Sequence, residues 1–143
     1  MTRGAAVRAG SRAFLWGPVV LQAAIIFALS SIPDLGPLPG GVSDKSGHSI
    51  GYALLGMLLL RALAGGRLRG VTWARALLTI VLATLYGMLD ELHQSFVPGR
   101  EADRFDVVAD CIGAAFGVAV CGALAAARAW GILNFSSRFR GRP

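Results

Sequence analysis

Four long apolar segments dominate this chain of 143 residues and limit what it can fold into. They cover residues 13–32, 44–63, 73–95 and 103–128. Each has about the 20 residues that an α-helix needs to cross roughly 30 Å of hydrocarbon. Helices satisfy their own backbone hydrogen bonds, as a bilayer interior requires. The sequence therefore predicts an all-α fold, a four-transmembrane-helix bundle in which residues 1–143 form a single membrane domain.

The composition is unlike that of a soluble domain and does not favour nucleic-acid binding. Only 15% of the residues are charged and 55% are hydrophobic, whereas a soluble domain has about a quarter charged residues. The net charge is +6, but the basic residues lie at the ends of the apolar segments and form no recognition motif. Membrane topology therefore explains this charge better than a nucleic-acid partner does.

The distribution of basic residues predicts the orientation of the bundle. With four spans, eleven of the fourteen basic residues fall on one side of the membrane, and Lys45, Arg100 and Arg104 fall on the other. The positive-inside rule then places both termini in the cytoplasm. The three tryptophans agree, because each lies at a cytoplasmic span end, where an interfacial belt is expected.

Three other features are interpreted as structural. The first apolar segment follows arginines, as in a signal peptide, but no A-x-A site closes it, so we expect an uncleaved span. The proline- and glycine-rich residues 33–41 are predicted to be a connector, with a lid on the membrane surface as the alternative. Cys111 and Cys121 lie about 15 Å apart along one predicted helix, too far for a disulfide.

Polar residues collect at the predicted outer ends of the spans. Six of the eight acidic residues lie between Asp90 and Asp110, although unpaired carboxylates are costly in an apolar environment. Helical spacing predicts shared faces for Asp44, His48 and Tyr52, for Tyr86, Asp90 and His93, for Glu91 and Gln94, and for Asp103, Asp106 and Asp110. The GxxxG spacing that allows close helix approach occurs at Gly47 and Gly51 and at Gly113 and Gly117. The sequence therefore predicts a polar pocket that opens to the outside.

These motifs resemble those of the VanZ-like family. They are Asp44-Lys45-x-x-His48-x-x-x-Tyr52, Asp90-Glu91-x-x-Gln94-x-x-x-Pro98-Gly99-Arg100 and Asp106-x-x-x-Asp110-x-x-Gly113. The resemblance extends from about Ser30 to Gly117. It implies a small multi-pass protein of the bacterial cytoplasmic membrane that acts at the cell envelope, and one branch of the family is linked to teicoplanin resistance. The family pattern usually has asparagine where this chain has Asp110, which adds a carboxylate to the pocket.

We assign candidate roles within this predicted pocket. The candidate catalytic residues are His48, Glu91 and Asp106, and the candidate substrate-binding residues are Asp44, Lys45, Tyr52, Asp90, Gln94, Arg100 and Asp110. His48 is the natural general acid or base, because a carboxylate partner fixes its tautomer. Arg100 follows a Pro-Gly turn, and its guanidinium can hold a carboxylate or phosphate at two points.

Structural alternatives remain open for the charged groups. Arg100 can instead form a salt bridge with Asp103 or Glu101, and either Asp90 or Glu91 can pair with Arg100 or Lys45. Metal binding through His48, Glu91, Asp106 and Asp110 is a further alternative. Since no HExxH or comparable ligand spacing is present, the sequence predicts no cofactor.

Three classes of function are compatible with this pattern. The first is an enzyme that acts on an amphipathic envelope substrate, such as a lipid-linked phosphate, glycan or lipopeptide. The second is a binding or transport protein for a lipid-linked or glycopeptide ligand, for which four spans are few unless the protein forms a homodimer. The third is an accessory membrane protein whose polar layer ties the bundle together. Membrane lipids are predicted partners in every case.

Overall fold

Four α-helices of alternating direction make up the computed structural model, which describes residues 3–33 and 44–129. The side chains of residues 3–11, 44 and 68 lie outside this description. The helices are α1 (Arg3–Ser30), α2 (Asp44–Leu63), α3 (Trp73–Gln94) and α4 (Arg104–Ala129), with a short 3-10 helix at Leu68–Gly70 between α2 and α3. The described residues contain no strand, in agreement with the predicted all-α fold.

Three of the described helical segments are long and apolar enough to cross a membrane. They are Arg12–Ser30, Trp73–Gln94 and Arg104–Ala129. Helix α2 has 20 residues but carries the polar side chains of Lys45, His48 and Arg61. The four-span count and the cytoplasmic location of the termini therefore stay predictions.

Helix α1 begins at Arg3, about ten residues before the predicted start of the first span. The apolar run marks the stretch that can enter hydrocarbon, whereas a helix continues wherever the residues favour it. The segment before the span is rich in alanine and arginine, which are both good helix formers. The predicted connector lies outside the described residues from Asp34 onward.

Among the described residues, large apolar side chains lie on the surface and several polar side chains lie in the interior, as is typical of a membrane protein. Large apolar side chains are exposed on the outside, among them Val20, Leu77, Leu85, Ile112 and Phe116. The buried polar or charged residues are Gln22, Ser30, Thr79, Asp90, Glu91, Gln94, Asp106 and Asp110. Lipid solvates an apolar surface, but it offers no hydrogen bonds to polar groups, which must therefore find partners inside the bundle.

The two central helices, α2 and α4, run parallel with their backbones in close contact. A Cβ atom on Gly113 would meet the carbonyl of Ser49, and a Cβ atom on Gly117 would meet that of Ala53. The GxxxG prediction is thus confirmed for α4. Gly51 of the second pair has a looser environment, because a Cβ atom there would only touch Ile26 of α1 at 3.9 Å.

Gly117→Ala is expected to destabilise the bundle by about 1–3 kcal/mol, because the added methyl group forces α2 and α4 apart. The control is Gly122→Ala, since a Cβ atom at Gly122 has nothing within 4 Å. Unfolding in a series of detergent and denaturant mixtures measures both variants. Equal midpoints for the two variants would contradict the close contact.

Candidate functional site

One face of α3 attaches this helix to α1. Asp90 Oδ1 accepts a hydrogen bond of 2.7 Å from Ser30 Oγ, and Tyr86 donates one of 2.7 Å to the carbonyl of Ala23. His93 packs on the Phe27 ring with the ring centroids 4.4 Å apart. The shared face that spacing predicts for Tyr86, Asp90 and His93 is therefore a packing surface for α1.

The carboxylates at the start of α4 face α2. Lys45 Nζ lies 2.6 Å from Asp103 Oδ2 and 3.1 Å from Asp106 Oδ1. Further along the same two helices, His48 Nδ1 lies 3.0 Å from Asp110 Oδ1. The three aspartates of this shared face thus meet Lys45 and His48 of α2. This contact brings together the imidazole and the carboxylates that the sequence predicts for the site.

Glu91 lies on a different face of α3 and points toward the start of α4. Its Oε2 accepts a hydrogen bond of 2.8 Å from the backbone N–H of Asp103. Its Oε1 is buried without a hydrogen-bond partner among the described residues. The residue is only 6% exposed, so one oxygen of this carboxylate is held by the backbone and the other is buried without a partner among the described residues.

Arg100 is held by a tight turn between α3 and α4. The N–H of Arg100 donates to the carbonyl of Val97 at 3.1 Å, and Gly99 has φ +81°. With Pro98 before this glycine, the geometry is that of a type II turn, which requires a positive φ at its third residue. The turn presents the Arg100 side chain, whose Nε is buried without a partner in the described part of the chain.

A cavity of about 180 Å³ opens between α1, α2 and α3 at this end of the bundle. Its lining residues are Gln22, Ile25, Ile26, Leu29, Ser30, Gly47, His48, Gly51, Tyr52, Asp90, Gln94 and Arg100. Helix α1 supplies an apolar wall, and the other elements supply a histidine, a carboxylate, an amide and a guanidinium. The cavity can therefore accommodate a molecule with an apolar part and a charged part.

The structure brings most of the predicted site residues into this region, although not all of them into the cavity. His48, Tyr52, Asp90, Gln94 and Arg100 line it. Lys45, Glu91, Asp106 and Asp110 lie in the adjoining contacts between α2, α3 and α4. The side chain of Asp44 is outside the described residues, so only its position at the start of α2 is known.

Among the described residues, none of the ion pairs that the sequence left open for Asp90, Glu91 and Arg100 is present. Neither Asp90 nor Glu91 pairs with Arg100 or Lys45, because Asp90 accepts from Ser30 and Gln94 and Glu91 accepts from a backbone N–H. Arg100 makes no salt bridge with Asp103 or Glu101 among the described residues. The spacing along a helix shows which way a side chain points, but it does not show which neighbouring helix meets it.

Two contributors from α1 were not predicted as part of the site. Ser30 donates to Asp90, and Gln22 Nε2 donates to the carbonyl of Gly51 at 3.1 Å. Gln22 is a buried amide within an apolar helix, and nothing in the sequence connects that amide with the pocket. For Ser30 the only signal is a small hydroxyl at the end of an apolar segment, which is common in membrane helices.

Asp103 precedes α4 and lies outside the apolar span Arg104–Ala129. The hydrogen bond from the Lys45 ammonium, followed by that from the Phe105 N–H, lowers the pKa of Asp103 below its ordinary value of 3.8. A depressed carboxyl pKa stabilises the folded state above that ordinary value, and this stabilisation is lost as the pH falls through the lower folded-state value.

His48, Glu91 and Asp106 also form a group with metal-ligand chemistry. Each offers one donor atom, and the three atoms lie within 4.8 Å of one another. They come from three different helices, which explains why no short motif along the sequence marks them.

Comparison with known proteins identifies the family. The family model described as VanZ/LLP1 matches residues 18–125, which is most of the chain. The protein belongs to the VanZ/LLP1 family. The matched region starts about 12 residues earlier than the motif-based resemblance and includes the part of α1 that lines the cavity. Searches of curated proteins and of solved structures found no match.

For this VanZ/LLP1 protein, Asp103→Asn is expected to lower stability at pH 7, because it removes the charge that Lys45 contacts while an amide at this position can still cap α4. The difference in stability from wild type should become smaller below pH 3.8, as the wild-type carboxylate is protonated. Midpoints of unfolding in detergent, determined at several pH values, measure this difference. Glu101→Gln, at an exposed neighbour, is the control that should show no gap, and a gap for Asp103→Asn that persists in acid would contradict the assignment.

Proposed function

We propose that this VanZ/LLP1 protein is a membrane enzyme that acts on an amphipathic, anionic cell-envelope substrate, with a lipid-linked phosphate as the best fit. The observation that carries this proposal is the composition of the cavity. Apolar side chains of α1 line it together with His48 and Arg100. Such a cavity suits an acyl or isoprenoid chain joined to an anionic group.

Arg100 is proposed to bind the anionic group. Its guanidinium can hold two phosphate oxygens at once, and its buried Nε has no partner among the described residues. Burial of this Nε strengthens such a charge-assisted contact. The apolar part of the substrate would then lie along Ile25, Ile26 and Leu29.

His48 is proposed to transfer the proton in the reaction. Asp110 is fully buried and its Oδ1 lies 3.0 Å from His48 Nδ1, so this carboxylate orients the ring and stabilises its protonated form. Hydrolysis of a phosphate ester is the simplest reaction at such a site, because it needs only water as the second reactant. Glu91 and Asp106 lie beside this pair and are proposed to assist it.

A binding or accessory role is the second candidate, and a specific observation favours it. Several polar groups near the cavity make contacts between helices, among them Ser30 with Asp90 and Lys45 with Asp106. Contacts of this kind stabilise a helix bundle and require no catalytic role. In that case the cavity would hold a lipid or glycopeptide ligand unchanged, and a homodimer would supply more surface for transport.

The location and orientation of the protein in the membrane are also part of the proposal. We place the protein in the bacterial cytoplasmic membrane with the cavity toward the outside, since the arginine-rich helix ends lie at the opposite end of the bundle. A contribution to glycopeptide resistance, including resistance to teicoplanin, would follow if the substrate is a precursor or carrier lipid of the cell wall.

Arg100→Gln is expected to weaken binding of an anionic lipid phosphate by about tenfold to 100-fold, the effect of losing a charged hydrogen bond of about 1.5–3 kcal/mol. Binding to protein in nanodiscs of neutral lipid measures this effect. The control is Arg104→Gln, because Arg104 packs against the Phe105 ring outside the cavity. Equal affinity for both variants would overturn the role of Arg100.

A measurement of substrate turnover distinguishes the enzyme proposal from the binding proposal. His48→Gln is expected to lower release of inorganic phosphate by about 100-fold or more, the usual contribution of a general base, with binding affinity and folded yield unchanged. If wild-type protein binds the lipid phosphate and releases no phosphate, the enzyme proposal fails and the binding proposal stands.

A further inference from the structure

We propose that His48, Glu91 and Asp106 form a binding site for a divalent transition-metal cation, with Zn²⁺ and Mn²⁺ as the best candidates. This inference goes beyond the proposed function, because the site and its test do not depend on a substrate. As a metal ligand His48 would not transfer protons, so metal binding and the proton transfer proposed above exclude each other. It also departs from the sequence-based expectation that the protein has no cofactor.

The geometry of the three donor atoms fits a metal ion. They lie within 4.8 Å of one another, so the three side chains need to close only slightly around a cation to reach the zinc–ligand distances of about 2.0–2.2 Å. One imidazole and two carboxylates are ligands that zinc and manganese accept. Three helices hold the three side chains, so the donor atoms are positioned by the fold.

Glu91 gives an independent indication that a ligand belongs there. It is 6% exposed, and its buried Oε1 has no hydrogen-bond partner in the described part of the chain. An unsatisfied buried carboxylate oxygen is costly, and a cation would remove that cost. The backbone N–H of Asp103 holds the other oxygen at 2.8 Å, which limits rotation of the carboxylate.

The His48–Asp110 contact matches the support that metal-bound histidines usually have. A carboxylate behind the imidazole fixes its tautomer and orientation and makes the ring a stronger ligand. Asp110 is fully buried, and its Oδ1 lies 3.0 Å from His48 Nδ1. The contact therefore keeps the ring in one orientation.

The local charges also favour a cation. Glu91, Asp106 and Asp110 bring three carboxylates together, and Lys45, the single lysine of the sequence, contacts Asp106 through Oδ1 only. Lys45 is shared with Asp103 and is half exposed, so it only partly balances this charge. A divalent cation would balance the rest from within the bundle.

The expected result is binding of about one Zn²⁺ or Mn²⁺ per chain by protein purified in detergent without substrate, with a rise in unfolding temperature that grows with metal concentration. Elemental analysis after gel filtration and calorimetric titration measure the stoichiometry and affinity. Titration with Mg²⁺ is expected to give much weaker binding, because Mg²⁺ prefers oxygen ligands and water.

The metal affinities of substituted proteins test which residues form the metal site. Glu91→Gln is expected to lower metal affinity by more than about 100-fold, and Asp110→Asn by about 10–100-fold, as for other groups that orient a metal ligand. Glu101→Gln, an exposed carboxylate of the same turn, is the matched control and should bind metal as wild type does. X-ray absorption of the zinc-loaded wild-type protein keeps the test valid if Glu91→Gln fails to fold, because it should show one imidazole with oxygen ligands.

Three outcomes would overturn the proposal. They are no stoichiometric Zn²⁺ or Mn²⁺ on folded wild-type protein, wild-type affinity in folded Glu91→Gln, and an absorption spectrum without imidazole. Each of these leaves the proposed lipid-phosphate binding intact, since that proposal is tested through Arg100 and needs no metal measurement.

Discussion

The close contact between the backbones of α2 and α4 is the constraint on which the rest of the described structure depends. Gly113 and Gly117 lie against the carbonyls of Ser49 and Ala53 with no room for a side chain. Because the two helices touch here, the polar residues nearer their starts also meet. His48 then lies beside Asp110 and Lys45 beside Asp106. Charged groups in an apolar bundle are stable only with partners at such distances.

The two outer helices complete this arrangement by different means. Helix α3 brings Glu91 against the start of α4 through a backbone hydrogen bond, and it binds α1 through Asp90 and Tyr86. Helix α1 adds mainly apolar side chains to the cavity. The same polar layer therefore holds the bundle together and forms one end of a cavity with an apolar wall, which is why structural and chemical roles coincide in this protein.

Several of the contacts between helices could be predicted from the periodicity of the sequence. Spacing alone indicates the common face of Tyr86, Asp90 and His93 and the close approach at Gly113, and the structure contains both. The start of α1 could not be predicted from apolarity, because helix formation continues beyond the apolar span. The partners of Arg100 and Lys45 stayed open at the level of the sequence, because helical spacing gives the direction of a side chain but not the helix that it meets.

The sequence by itself determined the helical fold class, the family and the end of the bundle where polar residues collect. These properties depend on local periodicity, on the mean polarity of each segment and on short motifs. Only the tertiary structure decided that His48 pairs with Asp110, that Ser30 joins the pocket and that Glu91 lies with His48 and Asp106. Such contacts join residues about 12 to 60 positions apart in the chain, and they depend on how closely the helices pack, which is set by the glycines of α4.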